Sequence, residues 1–326
     1  MRNHAHWRLR TRTLELGRRT LVMGVVNITP DSFSDGGFFL APEKAIAHAL
    51  RLLEEGADLL DLGAESTRPG SRAGGADPAV SAEEEQARLL PVLEGILKAR
   101  PDAVVSVDTY KASTARAALK AGAEVINDVS GLTWDEEMAR VCTEFGAGLV
   151  LSHTRGRPDE WRAQPQLDAD ALVAMVRDGL SASVEAARRA GIAGEAMVLD
   201  PGYGFGKRFG ENYALLARQA ELLELGRPLL AVLSRKSFLG HTLAALFDGK
   251  DAPVKNAPVK NAPAKNAPAR DAPAEDASIA TRENASVAAM TAAILHGASI
   301  VRVHAVRPAV EAALIADAIL SAAESS

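Results

Sequence analysis

Cysteine is nearly absent from this sequence, since Cys142 is the only one among 326 residues. A single cysteine excludes an intrachain disulfide and a thiolate cluster that would hold a metal ion. The residue lies in an apolar helical pattern, where a small buried thiol is more common than a catalytic one. We therefore interpret Cys142 as a core residue.

Long apolar runs are also lacking. None reaches the length of about 18 residues that a membrane-spanning helix needs. The arginine-rich N-terminus has no apolar segment of the kind that forms the centre of a signal peptide. The sequence therefore predicts a soluble protein of the cytoplasm that makes no membrane contact.

An excess of basic residues is missing as well, because 37 Lys and Arg face 42 Asp and Glu, for a net charge of −5 at pH 7. A general nucleic-acid binder normally carries a basic surface, so we expect no nucleic-acid partner. The hydrophobic fraction of 47% is ordinary for a globular protein. A locally basic pocket for a small anion remains compatible with this composition.

What is present is a regular alternation along the chain. Short β-branched runs alternate with longer stretches, rich in alanine and leucine, that have helical periodicity. This pattern is typical of βα units and a parallel sheet. The predicted strands are Leu21–Asn27, Leu59–Ala64, Val104–Asp108, Val125–Val129, Gly148–His153, Met197–Asp200, Leu229–Ser234 and Ile300–His304.

A helix is predicted after each strand. Eight strands, each followed by a helix, predict an α/β fold of the (β/α)8 TIM-barrel type that forms a single domain over residues 1–326. A doubly wound open sheet is the alternative, because one misjudged strand changes the count. The predicted helices lie at about 43–55, 81–99, 111–121, 135–145, 169–190, 211–225, 283–296 and 308–323.

The N-terminal segment predicts a short β-hairpin. Trp7–Thr13 and Leu14–Thr20 have the composition of two strands, with a turn at or near Gly17. We expect this hairpin to close the bottom of the barrel.

A repeat interrupts the alternation between Lys250 and Ala277. Its five-residue units, such as Asp-Ala-Pro-Val-Lys, place proline where it disfavours helix, and they contain almost no large apolar side chain. We predict a disordered, Pro/Ala-rich insertion at about 249–277. A neutral repeat expansion is favoured over a partner-binding segment, and both interpretations stay open.

Polar side chains stand at the carboxyl end of every predicted strand. In a (β/α)8 barrel these ends meet at one mouth, where the active site lies. The acids and amides suit a flat heterocycle with N–H donors, whereas arginine, lysine and histidine suit a phosphate or a carboxylate. The predicted ligand is therefore a heterocycle with an anionic leaving group. The strand-end residues are Asn27, Arg68, Asp108, Asn127, Asp128, His153, Arg155, Asp200, Arg235, Lys236, Arg302 and His304.

The glycine-rich segment Asp200–Lys207 superficially matches a dinucleotide-binding fingerprint. It follows the sixth predicted strand, and no acidic residue ends another strand about 20 positions later, as that fingerprint requires. We predict instead a bent loop that brings Phe205 over the site.

These motifs together resemble the dihydropteroate synthases. Residues 27–37, Asn-Ile-Thr-Pro-Asp-Ser-Phe-Ser-Asp-Gly-Gly, and 61–70, Asp-Leu-Gly-Ala-Glu-Ser-Thr-Arg-Pro-Gly, are similar to the family's two signatures. Shorter motifs follow in the family's order, at 106–109, 126–131, 200–202, 234–238 and 302–304. The resemblance implies a TIM barrel that joins 6-hydroxymethyl-7,8-dihydropterin pyrophosphate to p-aminobenzoate, giving 7,8-dihydropteroate and pyrophosphate in folate biosynthesis.

The resemblance also implies roles for the residues at the mouth. Asn27 would help to hold Mg2+, an ion that prefers hard oxygen ligands together with phosphate oxygens. Pyrophosphate would be bound by Asn27, Arg302 and His304. The pterin ring would be held by Asp108, Asn127, Asp200 and Lys236.

A p-aminobenzoate pocket covered by two lid loops is implied as well. Ser237 would start a helix whose N-terminal N–H groups meet the carboxylate. Family members are commonly homodimers and targets of sulfonamides, and we expect a homodimer here. The pocket and lid residues would be Phe33, Thr67, Arg68, Pro69, Phe205 and Ser237.

Two residues depart from the family's pattern. Thr154 stands where methionine is common, beside the pterin pocket, and Ala305 stands where an aspartate commonly follows the histidine. They keep open a catalytically silent paralogue that only binds pterin. A second alternative is a pterin-binding methyltransferase that passes a methyl group to a corrinoid and has no use for a pyrophosphate subsite.

Overall fold

The computed structural model describes residues 4–28, 42–67, 70–75, 78, 80–246 and 279–324. Its first two strands, β1 (Ala5–Arg8) and β2 (Thr13–Leu16), form an antiparallel hairpin. Eight further strands are parallel to one another. They are β3 (Leu21–Asn27), β4 (Leu59–Gly63), β5 (Val105–Asp108), β6 (Val125–Asp128), β7 (Gly148–Ser152), β8 (Met197–Asp200), β9 (Leu229–Ala231) and β10 (Ala298–Val303).

The eight parallel strands form a closed barrel in chain order. The last strand, β10, pairs with β9 on one side and with β3 on the other. This closure confirms the predicted (β/α)8 fold, and the alternative of an open, doubly wound sheet is wrong. The carboxyl ends of all eight strands consequently meet at one mouth.

Helices cover the outside of the barrel. They are α1 (Pro42–Glu54), α2 (Ala82–Ala99), α3 (Ala112–Lys120), α4 (Met138–Phe145), α5 (Ala169–Arg189), α6 (Phe209–Ala217), α7 (Ser237–Leu246), α8 (Ile279–Leu295) and α9 (Val306–Glu324). Where residues 211–225 predicted one helix, α6 is followed by a 3-10 helix at Gln219–Leu225. Within the described ranges, no helix is both long and apolar enough to cross a bilayer.

Two helices, α7 and α8, lie between β9 and β10 where the sequence predicted one at 283–296. The predicted helix start at Ser237 is confirmed. The rest of α7 was missed because its ten residues, SFLGHTLAAL, are apolar on nearly every side and lack a clear amphipathic period. The predicted insertion at about 249–277 lies outside the described residues, and so the single-domain organisation of 1–326 stays a prediction.

The barrel strands are buried on both faces, as parallel strands between helices usually are. Gly24 in β3 shows how closely the outer helices approach. A Cβ atom at this position would lie 3.1 Å from Leu52 of α1 and 3.2 Å from Val306 of α9. The glycine therefore lets both helices pack directly on the strand.

The hairpin closes the bottom of the barrel, as predicted. Trp7 is fully buried, and its Nε1 donates a hydrogen bond of 3.0 Å to the carbonyl of Ala196, just before β8. Leu9 and Leu16 are buried in the same cluster as Leu59 at the start of β4. The amino ends of the strands are thus covered, and only the opposite end is left for a ligand.

The turn of the hairpin lies at Leu9–Arg12, and the prediction of a turn at Gly17 is wrong. The Leu9 N–H donates to the Arg12 carbonyl at 2.8 Å. Thr11 N–H donates to the Glu124 carboxylate at 2.8 Å, which fastens the turn to the residue before β6. Gly17, with a φ of 98°, instead bends the chain between β2 and β3.

Candidate active site

One guanidinium joins two carboxylates at the mouth of the barrel, and an amide donates to one of them. Arg302 of β10 donates from Nε to Asp61 Oδ2 at 2.5 Å and from Nη2 to Asp108 Oδ2 at 2.8 Å. Asn127 Nδ2 donates to the same Asp61 oxygen at 3.0 Å. The structure therefore brings together Asp108, Asn127 and Arg302, three of the predicted site residues.

Asp61 is the member of this network that the sequence analysis missed. It lies within β4 and is fully buried, and its Oδ1 has no hydrogen-bond partner among the described residues. A buried charge is costly unless it is paired. An aspartate in the middle of the apolar strand Leu59–Gly63 was the signal that could have identified it.

The protonation of the network follows from its burial. Burial raises the pKa of Asp108 to about 7, although the neighbouring Arg302 opposes this shift. Burial lowers the pKa of Arg302, but the charges of Asp61 and Asp108 outweigh it and the pKa is raised. Arg302 therefore stays cationic, whereas Asp108 can gain or lose a proton near neutral pH.

Asp200 is held at the end of β8 by two hydrogen bonds. Ser152 Oγ donates to Oδ2 at 3.0 Å, and the Gly202 N–H donates to Oδ1 at 2.8 Å. Burial raises the pKa of this carboxyl group. Gly202 has a φ of 68°, and a Cβ there would lie 1.9 Å from the carbonyl oxygen of His153. Only glycine therefore fits beside Asp200.

Lys236 reaches the ring of Phe205 across the mouth. Its Nζ lies 3.9 Å from the ring centroid, within the range of a cation–π interaction. Burial lowers the pKa of Lys236 to about 8, with Asp200 opposing the shift. Arg235 turns the loop here with a φ of 59°, and its N–H donates to Ser286 Oγ at 2.9 Å.

Several predicted strand-end residues form their contacts within the loops that follow the strands. Asp128 accepts hydrogen bonds from Ser130 N–H and Leu132 N–H, both at 2.8 Å, and so shapes the loop after β6. Burial raises its pKa to about 6. Arg155 is buried and lies 3.5 Å from the Glu211 carboxylate.

His153 and Lys207 form a buried pair behind the glycine loop. Lys207 Nζ lies 3.0 Å from His153 Nδ1 and donates to the carbonyl of Gly202 at 2.8 Å. Burial lowers the pKa of Lys207 to about 7 and that of His153 well below its usual value. Lys207 was not a predicted site residue, and here it holds the loop that carries Phe205.

The predicted pyrophosphate residues lie on neighbouring strands. Asn27 ends β3 and is half-buried. His304 follows β10, and its Nδ1 lies 2.9 Å from Ser234 Oγ, just after β9. Because β10 is the neighbour of β3, Arg302 and His304 lie on or just after the strand next to the one that ends in Asn27.

At the mouth, few of the oxygen donors that the structure describes are suited to a Mg2+ ion. The described residues contain no group of three or more His, Cys, Asp or Glu side chains that could hold a metal ion. Mg2+ commonly binds through one or two protein oxygens while substrate phosphates and water complete its shell. The amide oxygen of Asn27 fits this arrangement, in which the substrate supplies most of the ligands.

The predicted lid residues are only partly described. Phe33, Arg68 and Pro69 lie outside the described residues, whereas Thr67 is described and half-buried. Ser237 is exposed at the first turn of α7. The structure places Thr67 and Ser237 after β4 and β9, on the mouth side of the barrel.

The loop after β4, which contains Thr67, is anchored at its base. Glu65 and Glu85 both accept hydrogen bonds from Lys111 Nζ, at 2.5 Å and 3.1 Å. A Cβ at Gly74 would lie 2.4 Å from the ring of Trp134, so the loop backbone rests directly on this indole. These contacts fix both ends of the stretch that contains Thr67.

Comparisons with known proteins agree with this geometry. The family described as "Pterin binding enzyme" matches residues 23–304. The dihydropteroate synthase of Bacillus subtilis is 41% identical over 230 residues, which cover 71% of this chain and 75% of that protein. The Escherichia coli dihydropteroate synthase is 36% identical, and the alignment covers 93% of each chain.

Solved structures give the same result. The Xanthomonas albilineans dihydropteroate synthase with 4-aminobenzoic acid superposes with a TM-score of 0.78 at 37% identity, covering 98% of this chain and 99% of that one. The Yersinia pestis dihydropteroate synthase in a sulfonamide drug complex gives a TM-score of 0.78 at 36% identity, covering 97% and 99%. With its closed barrel and its acids at the mouth, this chain belongs to the pterin-binding enzyme family.

Proposed function

We propose that the chain condenses 6-hydroxymethyl-7,8-dihydropterin pyrophosphate with p-aminobenzoate to give 7,8-dihydropteroate and pyrophosphate. The prediction of a dihydropteroate synthase, a transferase of folate synthesis, is confirmed by relatives of that name at 36% to 42% identity. The observation that carries the proposal is the buried junction of Asp61, Asp108, Asn127 and Arg302 at the barrel mouth.

The pterin ring is proposed to lie on this junction. A pterin has several ring N–H groups and ring nitrogens, so it needs both acceptors and donors. Asp108, Asn127 and Asp200 supply the acceptors, and Lys236 supplies a cation that burial has partly stripped of water. Charge-assisted hydrogen bonds of this kind are stronger than neutral ones, which supports tight and oriented binding of the ring.

The proposed chemistry is a substitution at the exocyclic methylene carbon of the pterin. A bond forms from the amine nitrogen of p-aminobenzoate to this carbon while the carbon–oxygen bond to pyrophosphate breaks, and the amine proton passes to solvent. Arg302, His304 and Asn27 are proposed to bind the leaving group and stabilise its growing charge. When bound at Asn27, Mg2+ would neutralise part of that charge.

The second substrate is proposed to enter between the lid loops and α7. Ser237 begins α7, and N–H groups at a helix N-terminus favour a carboxylate. Thr67 and Phe205 would form the walls of the pocket, and the roles of Phe33, Arg68 and Pro69 stay predictions. Alignment of the amine with the pterin methylene carries most of the rate, because no protein nucleophile is required.

A homodimer is also proposed, with α9 at its interface. Leu314, Ile315 and Ile319 of α9 are 61%, 65% and 51% exposed, and contiguous exposed apolar side chains commonly mark an interaction surface. A mass from light scattering that matches one chain at micromolar concentration would contradict this proposal. The cytoplasmic location stays a prediction.

The function is tested by measuring pyrophosphate release from purified protein with both substrates and Mg2+. We expect release that requires p-aminobenzoate and that falls at least about a hundredfold in Asp108→Ala, because an oriented buried contact is lost. Asp178→Ala, at an exposed carboxylate of α5, is the matched control and should keep wild-type activity. Pterin binding without release would favour the silent paralogue, and methyl transfer to a corrinoid would favour the methyltransferase.

A further inference from the structure

Thr154, which stands where the family often has methionine, is bonded to a tryptophan in this chain. Trp161 Nε1 donates to two acceptors, Thr154 Oγ1 at 3.1 Å and the carbonyl oxygen of Gly156 at 3.2 Å. Trp161 is only 5% exposed, and a buried indole N–H usually needs a partner. A methionine sulfur is a weak acceptor, so the threonine and the tryptophan form a matched pair.

The other side of this pair is the aromatic residue of the glycine loop. The Trp161 and Phe205 rings lie 5.1 Å apart between centroids and are tilted by 32°. The Lys236 ammonium contacts the same Phe205 ring, with Nζ 3.9 Å from the ring centroid. A continuous chain of contacts therefore runs from Thr154 through Trp161 and Phe205 to Lys236.

The backbone of the glycine loop is fixed by other groups. The carbonyl of Phe205 accepts hydrogen bonds from Arg155 N–H and from Lys207 Nζ, both at 3.4 Å. The Phe205 N–H donates to the Gly202 carbonyl at 3.1 Å. Trp161 packs on the Phe205 ring and also on Gly206, where a Cβ would lie 3.0 Å from the indole. Because large-to-small substitutions of buried residues are destabilising, the conservative variants Trp161→Phe and Thr154→Val are the ones expected to keep the fold.

We propose that Trp161, held by Thr154, is a positioning residue for the p-aminobenzoate pocket: it orients the Phe205 ring as a wall of that pocket and thereby determines the affinity for p-aminobenzoate. The inference rests on the proposed function, since it uses the p-aminobenzoate pocket assigned to Phe205. Three of the four proposed pterin contacts, Asp108, Asn127 and Asp200, lie on β5, β6 and β8, and only Lys236 contacts the Phe205 ring.

The test is a pair of Michaelis constants measured on Trp161→Leu. Losing the ring contact should raise the KM for p-aminobenzoate about tenfold, the effect of one well-packed aromatic contact. The KM for the pterin pyrophosphate should change less than the KM for p-aminobenzoate, because only Lys236 among the proposed pterin contacts meets the Phe205 ring. A general structural defect would change both constants together and lower Tm, and that outcome would overturn the inference.

Conservative variants separate the hydrogen bond from the ring. Thr154→Val removes one of the two acceptors of the indole N–H, and Trp161→Phe removes the donor. We expect Thr154→Val to weaken p-aminobenzoate binding, and Trp161→Phe to weaken it at least as much. Combining the two should add little, because both break one contact. Thr154→Ser keeps the hydroxyl and should restore wild-type KM. A wild-type KM for p-aminobenzoate in Thr154→Val, in Trp161→Phe and in the double variant would also overturn the inference.

Calorimetry with p-aminobenzoate distinguishes this inference from the proposed function. If the wild type releases pyrophosphate and Trp161→Leu binds p-aminobenzoate as well as the wild type does, only the inference fails. If the wild type releases none but binds p-aminobenzoate more tightly than Trp161→Leu, the inference stands and the proposed function fails. A wild type that neither releases pyrophosphate nor binds p-aminobenzoate overturns both.

Discussion

Removing the buried carboxylate of Asp61 should destabilise the protein by a measurable amount. In Asp61→Ala the charge-assisted bond from Arg302 Nε and the bond from Asn127 Nδ2 are both lost. Both are hydrogen bonds to a carboxylate, and each bond of this kind contributes about 1.5–3 kcal/mol to stability. Arg302 keeps its bond to Asp108, so the change should not exceed the roughly 5 kcal/mol that breaking a buried ion pair can cost.

We therefore expect Asp61→Ala to lower the free energy of unfolding by about 3–5 kcal/mol. Urea denaturation followed by circular dichroism measures this change, provided that the slope with denaturant is the same as in the wild type. Asp178→Ala, at an exposed carboxylate, is the control and should stay within about 0.5 kcal/mol of wild type. An Asp61→Ala value inside that same interval would refute the idea that the buried junction stabilises the mouth.

Three further predictions concern the mouth itself. Burial raises the pKa of Asp108 to about 7, and pterin N–H donors need its ionised form. The affinity for pterin, measured by calorimetry, should therefore rise between about pH 6 and 8 and level off above about pH 8; an unchanged affinity over that range would count against this role. Gly202→Ala should lower Tm and weaken pterin binding. Alanine would have to adopt a φ of 68° with its Cβ against the His153 carbonyl, which costs about 1–3 kcal/mol or more. A Tm and a pterin affinity equal to those of the wild type would contradict this. Chelation of Mg2+ by EDTA should stop pyrophosphate release and added Mg2+ should restore it, whereas release in EDTA would remove the metal from the proposal.

The sequence predicted the barrel well because its signals are local. The bounds of β3 and β8 agree with the structure to the residue, since an apolar β-branched run ends in both at a polar residue. Helix positions followed from amphipathic periodicity in the same way. The exception, α7, is apolar nearly all around, and periodicity alone carries no signal for such a helix.

The candidate site was less predictable where it depends on contacts between distant residues. Asp61 and Arg302 are 241 positions apart, and only closure of the barrel reveals that one guanidinium binds two carboxylates. His153 ends a predicted strand like the other candidates, yet it is paired with Lys207 behind the glycine loop. A strand-end position in the sequence indicates the mouth, but the direction of the side chain is set by packing.

The central claim is that this mouth joins a pterin to p-aminobenzoate. The most direct measurement is mass spectrometry of the product made by purified protein from pterin pyrophosphate and isotopically labelled p-aminobenzoate, with pyrophosphate counted in parallel. The account predicts labelled 7,8-dihydropteroate in a one-to-one ratio with pyrophosphate, and at least about a hundredfold less from Asp108→Ala under the same conditions. Pyrophosphate without the labelled product, or labelled product that does not depend on Asp108, would contradict it.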